Sequence, residues 1–258
     1  MWIAVVPALN EEASISRVME TLAKTPVGQI ILVANGCTDK TLETAQDAAG
    51  KSDLKIIEFA HPLGLDIPRA VGAFYAKKKA PQGIIFVDGD MKGDIAYALS
   101  ALIKAVENGA DMALTNCYPY ILLRSSLTLS VLRERETLNR HLGIFDELGL
   151  ASPSHGPHAI SGRLLQALPP ETIAIPPLSL AYAVKENFTV KVGASIAHTS
   201  LGSRFRNNKH AALIAETIIG DTRQALYWPD AQNLPGDIPD GYRSMRRFDL
   251  LQKFVQEN

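Results

Sequence analysis

Apolar residues in the first half of the chain arrive in short unbroken runs, separated by longer segments of helical period. Trp2–Val6, Gln29–Ala34, Leu54–Phe59, Gly83–Val87 and Asp111–Asn116 read as strands. The runs with no polar face, such as Trp2–Val6 and Gly83–Val87, have the pattern of strands buried on both sides. Between them, Glu11–Lys24 carries Ile15, Val18, Met19 and Leu22 at helical spacing, and Asn10 is its expected N-cap ahead of Glu11 and Glu12. Lys40–Ala49 predicts a helix closed near Gly50. Pro68 falls in the first turn of a helix running through Lys79, and Asp94 is the expected cap of a helix reaching Asn108.

Strands alternating with helices of this length predict βαβ units. The fold class is therefore α/β, a mostly parallel sheet with helices on both faces. Ligands of such sheets sit beyond the C-terminal strand edges. The polar clusters Asn10–Glu12, Asn35–Asp39 and Asp88–Asp90 each follow a strand's C-terminal end, so all three are expected to line one crevice.

The second half is less regular. Leu127–Leu142 reads as a helix with a charged middle, and His155–His158 as a loop. A helix is expected over Leu178–Asn187 behind Pro176 and Pro177, then a strand over Thr189–Ala197 that reaches His198. Lys209–Tyr227 predicts a helix, and Trp228–Tyr242, with three Pro and two Gly, a loop. Ser244–Gln256 is a last amphipathic helix. It carries Met245, Phe248, Leu251 and Val255 on one side and Arg243, Arg246 and Arg247 near its start. It reads either as a docked C-terminal helix or as a peripheral contact with an anionic membrane or a lipid-phosphate acceptor.

Composition narrows the class of protein. The 258 residues are 47% apolar and 21% charged, which suits one soluble globular domain spanning 1–258. The formal net charge of −1 excludes a broad polyanion-binding surface, so no nucleic-acid partner is expected. Two cysteines, Cys37 and Cys117, exclude a disulfide scaffold and fit a reducing cytoplasm. The apolar start lacks a basic flank and a cleavage pattern, and no apolar run approaches the ~20 residues of a spanning helix. A cytoplasmic location is expected, with membrane association only through the C-terminal helix.

Asp88-Gly89-Asp90 is the first candidate for chemistry. Two carboxylates at i and i+2 beyond a buried strand can reach one divalent cation, and Mg²⁺ and Mn²⁺ prefer oxygen ligands shared with substrate phosphates. The spacing alone is weak, and the alternative is a solvated turn. No Gly-x-Gly-x-x-Gly follows the first strand, no P-loop is present, and no Gly-x-Ser-x-Gly elbow appears. These absences argue against a dinucleotide-binding oxidoreductase, a P-loop NTPase and a serine hydrolase.

Four segments in order change the picture. Val5-Val6-Pro7-Ala8-Leu9-Asn10-Glu11-Glu12, Ile31 through Thr41, Gly64 through Gly72, and Ile84-Ile85-Phe86-Val87-Asp88-Gly89-Asp90 together resemble nucleotide-sugar glycosyltransferases of the GT-A fold, especially glycosyltransferase family 2. The likeness is firm over residues 1–116, the nucleotide-binding half. It is thinner over 117–258, the half that would complete the acceptor and metal sites, where it touches His155–Gly162 and Gly193–His198.

The resemblance implies a UDP- or GDP-linked sugar donor, an unidentified acceptor hydroxyl and a divalent metal, Mg²⁺ or Mn²⁺. By the same resemblance, Pro7, Ala8, Leu9, Asn10 and Glu11 hold base and ribose, and Asn35 and Asp39 belong to the second base-facing loop. Gly64, Arg69, Asp88 and Gly89 complete the nucleotide site. Asp88, Asp90 and His198 form the metal site, and Asp90 and Arg204 act on the departing diphosphate. Arg206, Lys209 and His210 lie with Arg204 in a loop that family members close over the donor. His155 and His158 contact the acceptor at the crevice rim.

Three departures matter. Leu65 stands where the family usually has Lys, and Asn35 where it usually has Asp. Inverting members carry an acidic pair ahead of the last core strand, one of whose carboxylates is the general base. Ile175–Leu180 has none. Three readings stay open. The enzyme retains configuration, or Asp146, Glu147 or Glu171 supplies the base, or catalysis is altered or lost and a nucleotide-binding module remains.

Overall fold

Strand β1 (Trp2–Ala8) turns Ile3 and Val5 to one face and Trp2, Ala4 and Val6 to the other, and all five are buried. Its neighbour β2 (Val27–Asn35) divides Ile31 and Val33 from Ile30 and Leu32 in the same way. An alternating strand with no polar face needs cover on both sides. The computed structural model, which describes residues 1–120, 125–229 and 236–258, shows that cover.

Seven strands form one sheet, in the spatial order β3-β2-β1-β4-β6-β5-β7. The others are β3 (Asp53–Phe59), β4 (Gly83–Phe86), β5 (Met112–Asn116), β6 (His158–Ser161) and β7 (Val190–Ser195). All pairings are parallel except those of β6, which runs antiparallel to both β4 and β5. One face is covered chiefly by α1 (Ile15–Leu22) and α4 (Ala96–Glu107). α2 (Thr41–Ala49) packs beside α1. The other face carries α3 (Ile67–Lys77), the short helices α6 (Phe145–Leu148), α7 (Gly162–Ala167) and α8 (Pro170–Ile173), and α9 (Pro176–Lys185). α5 (Ser126–His141) and α10 (Asn208–Leu226) pack on each other, and α11 (Phe248–Glu257) closes over α3.

The strand and helix pattern of the first half matches the sequence expectation closely, but two caps differ. Asn10 is not an N-cap. It sits at φ +57°, its side chain accepts from the Thr38 N–H at 2.8 Å, and α1 begins only at Ile15 with Ser14 at the cap position. Asp94 is exposed, and α4 starts two residues later without a side-chain cap. In the second half, β6 occupies part of the expected loop. Its four residues carry too little apolar pattern to announce a strand, and it forms because β4 and β5 both offer unpaired edges to it.

The last helix is docked. Leu251 is fully buried, and the Phe254 ring lies 6.0 Å from that of Phe59 and 6.2 Å from that of Phe74. Met245 falls outside this seam, in a 3₁₀ turn over Arg243–Met245 that precedes the helix. Arg243 and Arg246 pair with Asp221, and Arg247 with Asp249. The two features behind a membrane contact, a free apolar face and free arginines, are thus both used within the chain. No helix among the described residues is long and apolar enough to cross a membrane. Of the expected Trp228–Tyr242 loop, residues 230–235 lie outside the described residues.

Candidate functional site

The parallel strands β1, β2 and β4 end together, and their C-terminal turns open onto a cleft of 370 Å³. Pro7, Ala8, Leu9 and Glu11 line it from the β1 turn, and Asn35 from the end of β2. Gly64, Leu65, Asp66, Pro68 and Arg69 line it from the start of α3, and Asp88, Gly89 and Asp90 from the β4 turn. Arg204, Arg206, His210, Ile214, Tyr242 and Met245 close it from the second half. Gly89 allows the two turns to meet. Its N–H donates to the Pro7 carbonyl at 3.0 Å, and a Cβ there would lie 3.1 Å from both that oxygen and the Ala8 Cβ.

Carboxylates crowd one wall. The Asp90 carboxyl is raised to about 6 by burial, then by the negative charges of Asp88 and Glu11. Its Oδ1 accepts from the Ser203 hydroxyl at 3.2 Å, and Arg206 reaches Glu11 at 3.0 Å. Asp88 is paired with Arg69, which also lies 3.4 Å from Asp66. Glu11 and Asp88 each have an arginine partner, whereas Asp90 has no ion pair among the described residues and is left beside two like charges. Carboxylate oxygens at Asp88 and Asp90, the latter held against neighbouring negative charge, are donors of the kind Mg²⁺ or Mn²⁺ takes.

Not every expected residue arrives. Asn10 and Asp39 do not line the cleft. Asp39 accepts from the Thr41 and Glu12 N–H groups, so both residues brace the β1 and β2 turns from behind. Asn35 does line it, but its Oδ1 is spent on the Leu63 N–H at 2.6 Å. His198 is not gathered with Asp88 and Asp90, and no cluster of three metal-binding side chains forms among the described residues. Its Nδ1 instead meets His155 Nε2 at 2.9 Å.

His155 stays neutral well below the usual imidazole range, through burial and then the nearby Arg135 and His198. Tyr118 stands against both rings. His158 is not at a rim. It is 5% exposed on β6, stacked on Phe86 at 4.7 Å, and pushed down to about 3 by burial and by Arg69. Direct acceptor contact by His158 is excluded by that burial.

Sequence reasoning missed Asp66, Ile214, Tyr242 and Met245 as cleft residues. Asp66 lay inside a recognised segment. The other three come from α10 and the segment before α11, where no local pattern marks them.

A strand order of 3-2-1-4-6-5-7 with an acid-lined cleft at the β1 and β4 ends defines an α/β transferase fold of the GT-A type. The chain belongs to glycosyl transferase family 2, whose family model matches residues 3–159. No curated protein sequence matches the chain. Among solved structures it is similar to glucosyl-3-phosphoglycerate synthase from Mycobacterium tuberculosis in complex with Mn²⁺, UDP and glucosyl-3-phosphoglycerate. There the TM-score is 0.62 at 18% identity, over 90% of this chain and 81% of that one. The same enzyme with Mn²⁺, UDP-glucose and phosphoglyceric acid gives a TM-score of 0.64 at 18% identity, over 90% and 81%. Its complex with UDP gives 0.62 at 20% identity, over 90% and 82%.

Proposed function

We propose that the protein transfers a sugar from a nucleoside-diphosphate sugar, UDP-linked in the first instance, to an acceptor hydroxyl. The observation that carries this reading is the cleft itself, where Glu11, Asp88 and Asp90 face Arg204 and Arg206 at the ends of β1 and β4. Asp88 and Asp90 would hold Mg²⁺ or Mn²⁺ together with diphosphate oxygens, and the metal would supply charge neutralisation for the leaving group. Pro7, Ala8, Leu9 and the backbone about Gly64 offer apolar and main-chain surface suited to base and ribose. Arg204 and Arg206 present guanidinium forks to phosphate oxygens from the loop that already touches Glu11.

Asp146, Glu147 and Glu171 are exposed, and none lines the cleft. Each cleft carboxylate is committed to the cation site or to an arginine. This favours transfer with retention, in which the acceptor oxygen bonds to the anomeric carbon as the bond to diphosphate breaks. The acceptor proton then passes to the departing diphosphate oxygen. The same observation supports a second reading, a nucleotide-binding module without turnover.

Thermal melts with UDP, GDP and their sugars, with and without Mn²⁺, test the shared part. A metal-dependent rise in Tm is expected through linkage. No rise with any nucleotide defeats both readings. Donor hydrolysis or transfer by wild type, lost in Asp90→Ala, selects the enzyme. UDP-glucose and phosphoglyceric acid, which the M. tuberculosis enzyme binds, are the first pair to try.

A further inference from the structure

A chain of alternating charges runs inward from the cleft to the C-terminal segment. Asp88 pairs with Arg69, and Arg69 Nε lies 3.4 Å from Asp66 Oδ1. The other Asp66 oxygen takes Arg246 Nη2 at 3.2 Å, and Arg246 grips Asp221 through both nitrogens at 2.7 and 2.6 Å. The Arg246 side chain is 2% exposed and that of Asp221 is 3%. Arg246 Nε also donates to the Leu65 carbonyl at 3.0 Å, and the next residue's N–H to that of Leu63 at 2.8 Å. The segment 242–247 therefore clamps the backbone of 63–66. Two of its residues, Tyr242 and Met245, form cleft wall.

Asp66 is divided between two guanidiniums, one on each oxygen. It is held at φ +65°, a left-handed conformation that non-glycine residues reach only under constraint. With Arg246 gone, the cation left beside this buried carboxylate among the described residues is Arg69. A buried carboxylate draws the nearest guanidinium to itself, because an unpaired charge there is costly. Arg69 would then be pulled from Asp88.

We propose that Arg246, more than 150 residues from the Asp88–Asp90 turn in sequence, is a positioning residue of the nucleotide site. It satisfies Asp66 and thereby leaves Arg69 to hold Asp88 in place. The proposal rests on the functional reading above. It makes the C-terminal segment part of the donor site, not an appendage.

The test is calorimetric titration of the full chain with UDP and Mn²⁺, at a temperature where circular dichroism shows each variant folded. Arg246→Met is expected to weaken binding at least tenfold, and Arg246→Lys, which keeps the charge but not the fork, by less. Adding Asp66→Asn to Arg246→Met removes the competing charge. Affinity is then expected to recover to within about threefold of Asp66→Asn alone, a rescue that a purely structural staple would not show. If Arg246→Met does not fold, Arg246→Lys with and without Asp66→Asn carries the same comparison. Wild-type affinity in the Arg246 variants, or a loss that Asp66→Asn leaves untouched, overturns the proposal. A wild type that binds neither UDP nor GDP with Mn²⁺ overturns the functional reading itself, and this proposal with it.

Discussion

Replacing Asp90 by Asn removes a charge that the fold holds against resistance. Burial, Asp88 and Glu11 lift its carboxyl from the ordinary 3.8 to about 6. A rise of that size corresponds to about 3 kcal/mol at 1.36 kcal/mol per pH unit. The sign follows from proton binding. Between the two values the folded chain holds more protons than the unfolded one, so the penalty is complete above about pH 6 and fades as pH falls toward 3.8. Asparagine keeps the shape and still accepts from Ser203. Asp90→Asn should therefore stabilise the metal-free protein at pH 7.5 by up to about 3 kcal/mol, and by about half of that at pH 5. For a chain of this size that is a Tm increase of up to about 6–12 °C at pH 7.5. Thermal melts in EDTA at the two pH values measure it. The same variant should lose the metal-dependent rise with nucleotide, so stability and binding move in opposite directions. A Tm at or below wild type at pH 7.5, or a gain that does not shrink at pH 5, would show that the arginines already neutralise Asp90.

Three further outcomes follow from contacts at or near the cleft. Gly64 stands at φ +89°, and a Cβ there would lie 2.6 Å from the Met245 carbonyl oxygen and 2.8 Å from the Arg246 Cα. Gly64→Ala should therefore cost about 2–5 kcal/mol in urea unfolding with an unchanged m value. The Cys117 thiol is buried and pushed up to about 12, whereas Cys37 is half-buried. Iodoacetamide at pH 8 should thus modify Cys37 and spare Cys117 in the native protein, read by peptide mass. The Arg206–Glu11 pair is partly exposed, with the Arg206 side chain at 43%. Arg206→Ala should change stability by less than about 1 kcal/mol, while weakening UDP binding measured by calorimetry.

Legibility differed along the chain for physical reasons. The runs at Trp2–Val6 and Gln29–Ala34 announce strands because both faces of a central parallel strand are buried, and runs this short, bounded by turn residues, are too short for a buried helix. The turns after β1 and β4 could be placed at one crevice before any coordinates, since parallel strands put their C-terminal ends on the same edge. Roles inside those turns were less readable. Asn10 and Asp39 have the side chains of ligand-binding residues, yet both use their oxygens on neighbouring backbone N–H groups. Asn and Asp are as apt for bracing a turn as for meeting a ligand, and local sequence carries no mark of which way the side chain points.

Local pattern therefore determined the α/β class, most of its elements and the strand ends that carry Glu11, Asp88 and Asp90, because burial periodicity and turn chemistry are short-range properties. The tertiary structure alone decided what surrounds those acids. It inserted β6 antiparallel between β4 and β5, drew His198 toward His155, and buried His158 beneath the cleft. It also brought Asp66, Asp221 and Arg246 into one ionic chain. Contacts between residues so far apart in sequence follow from packing and from the cost of burying charge unpaired. Neither leaves a period or spacing along the chain.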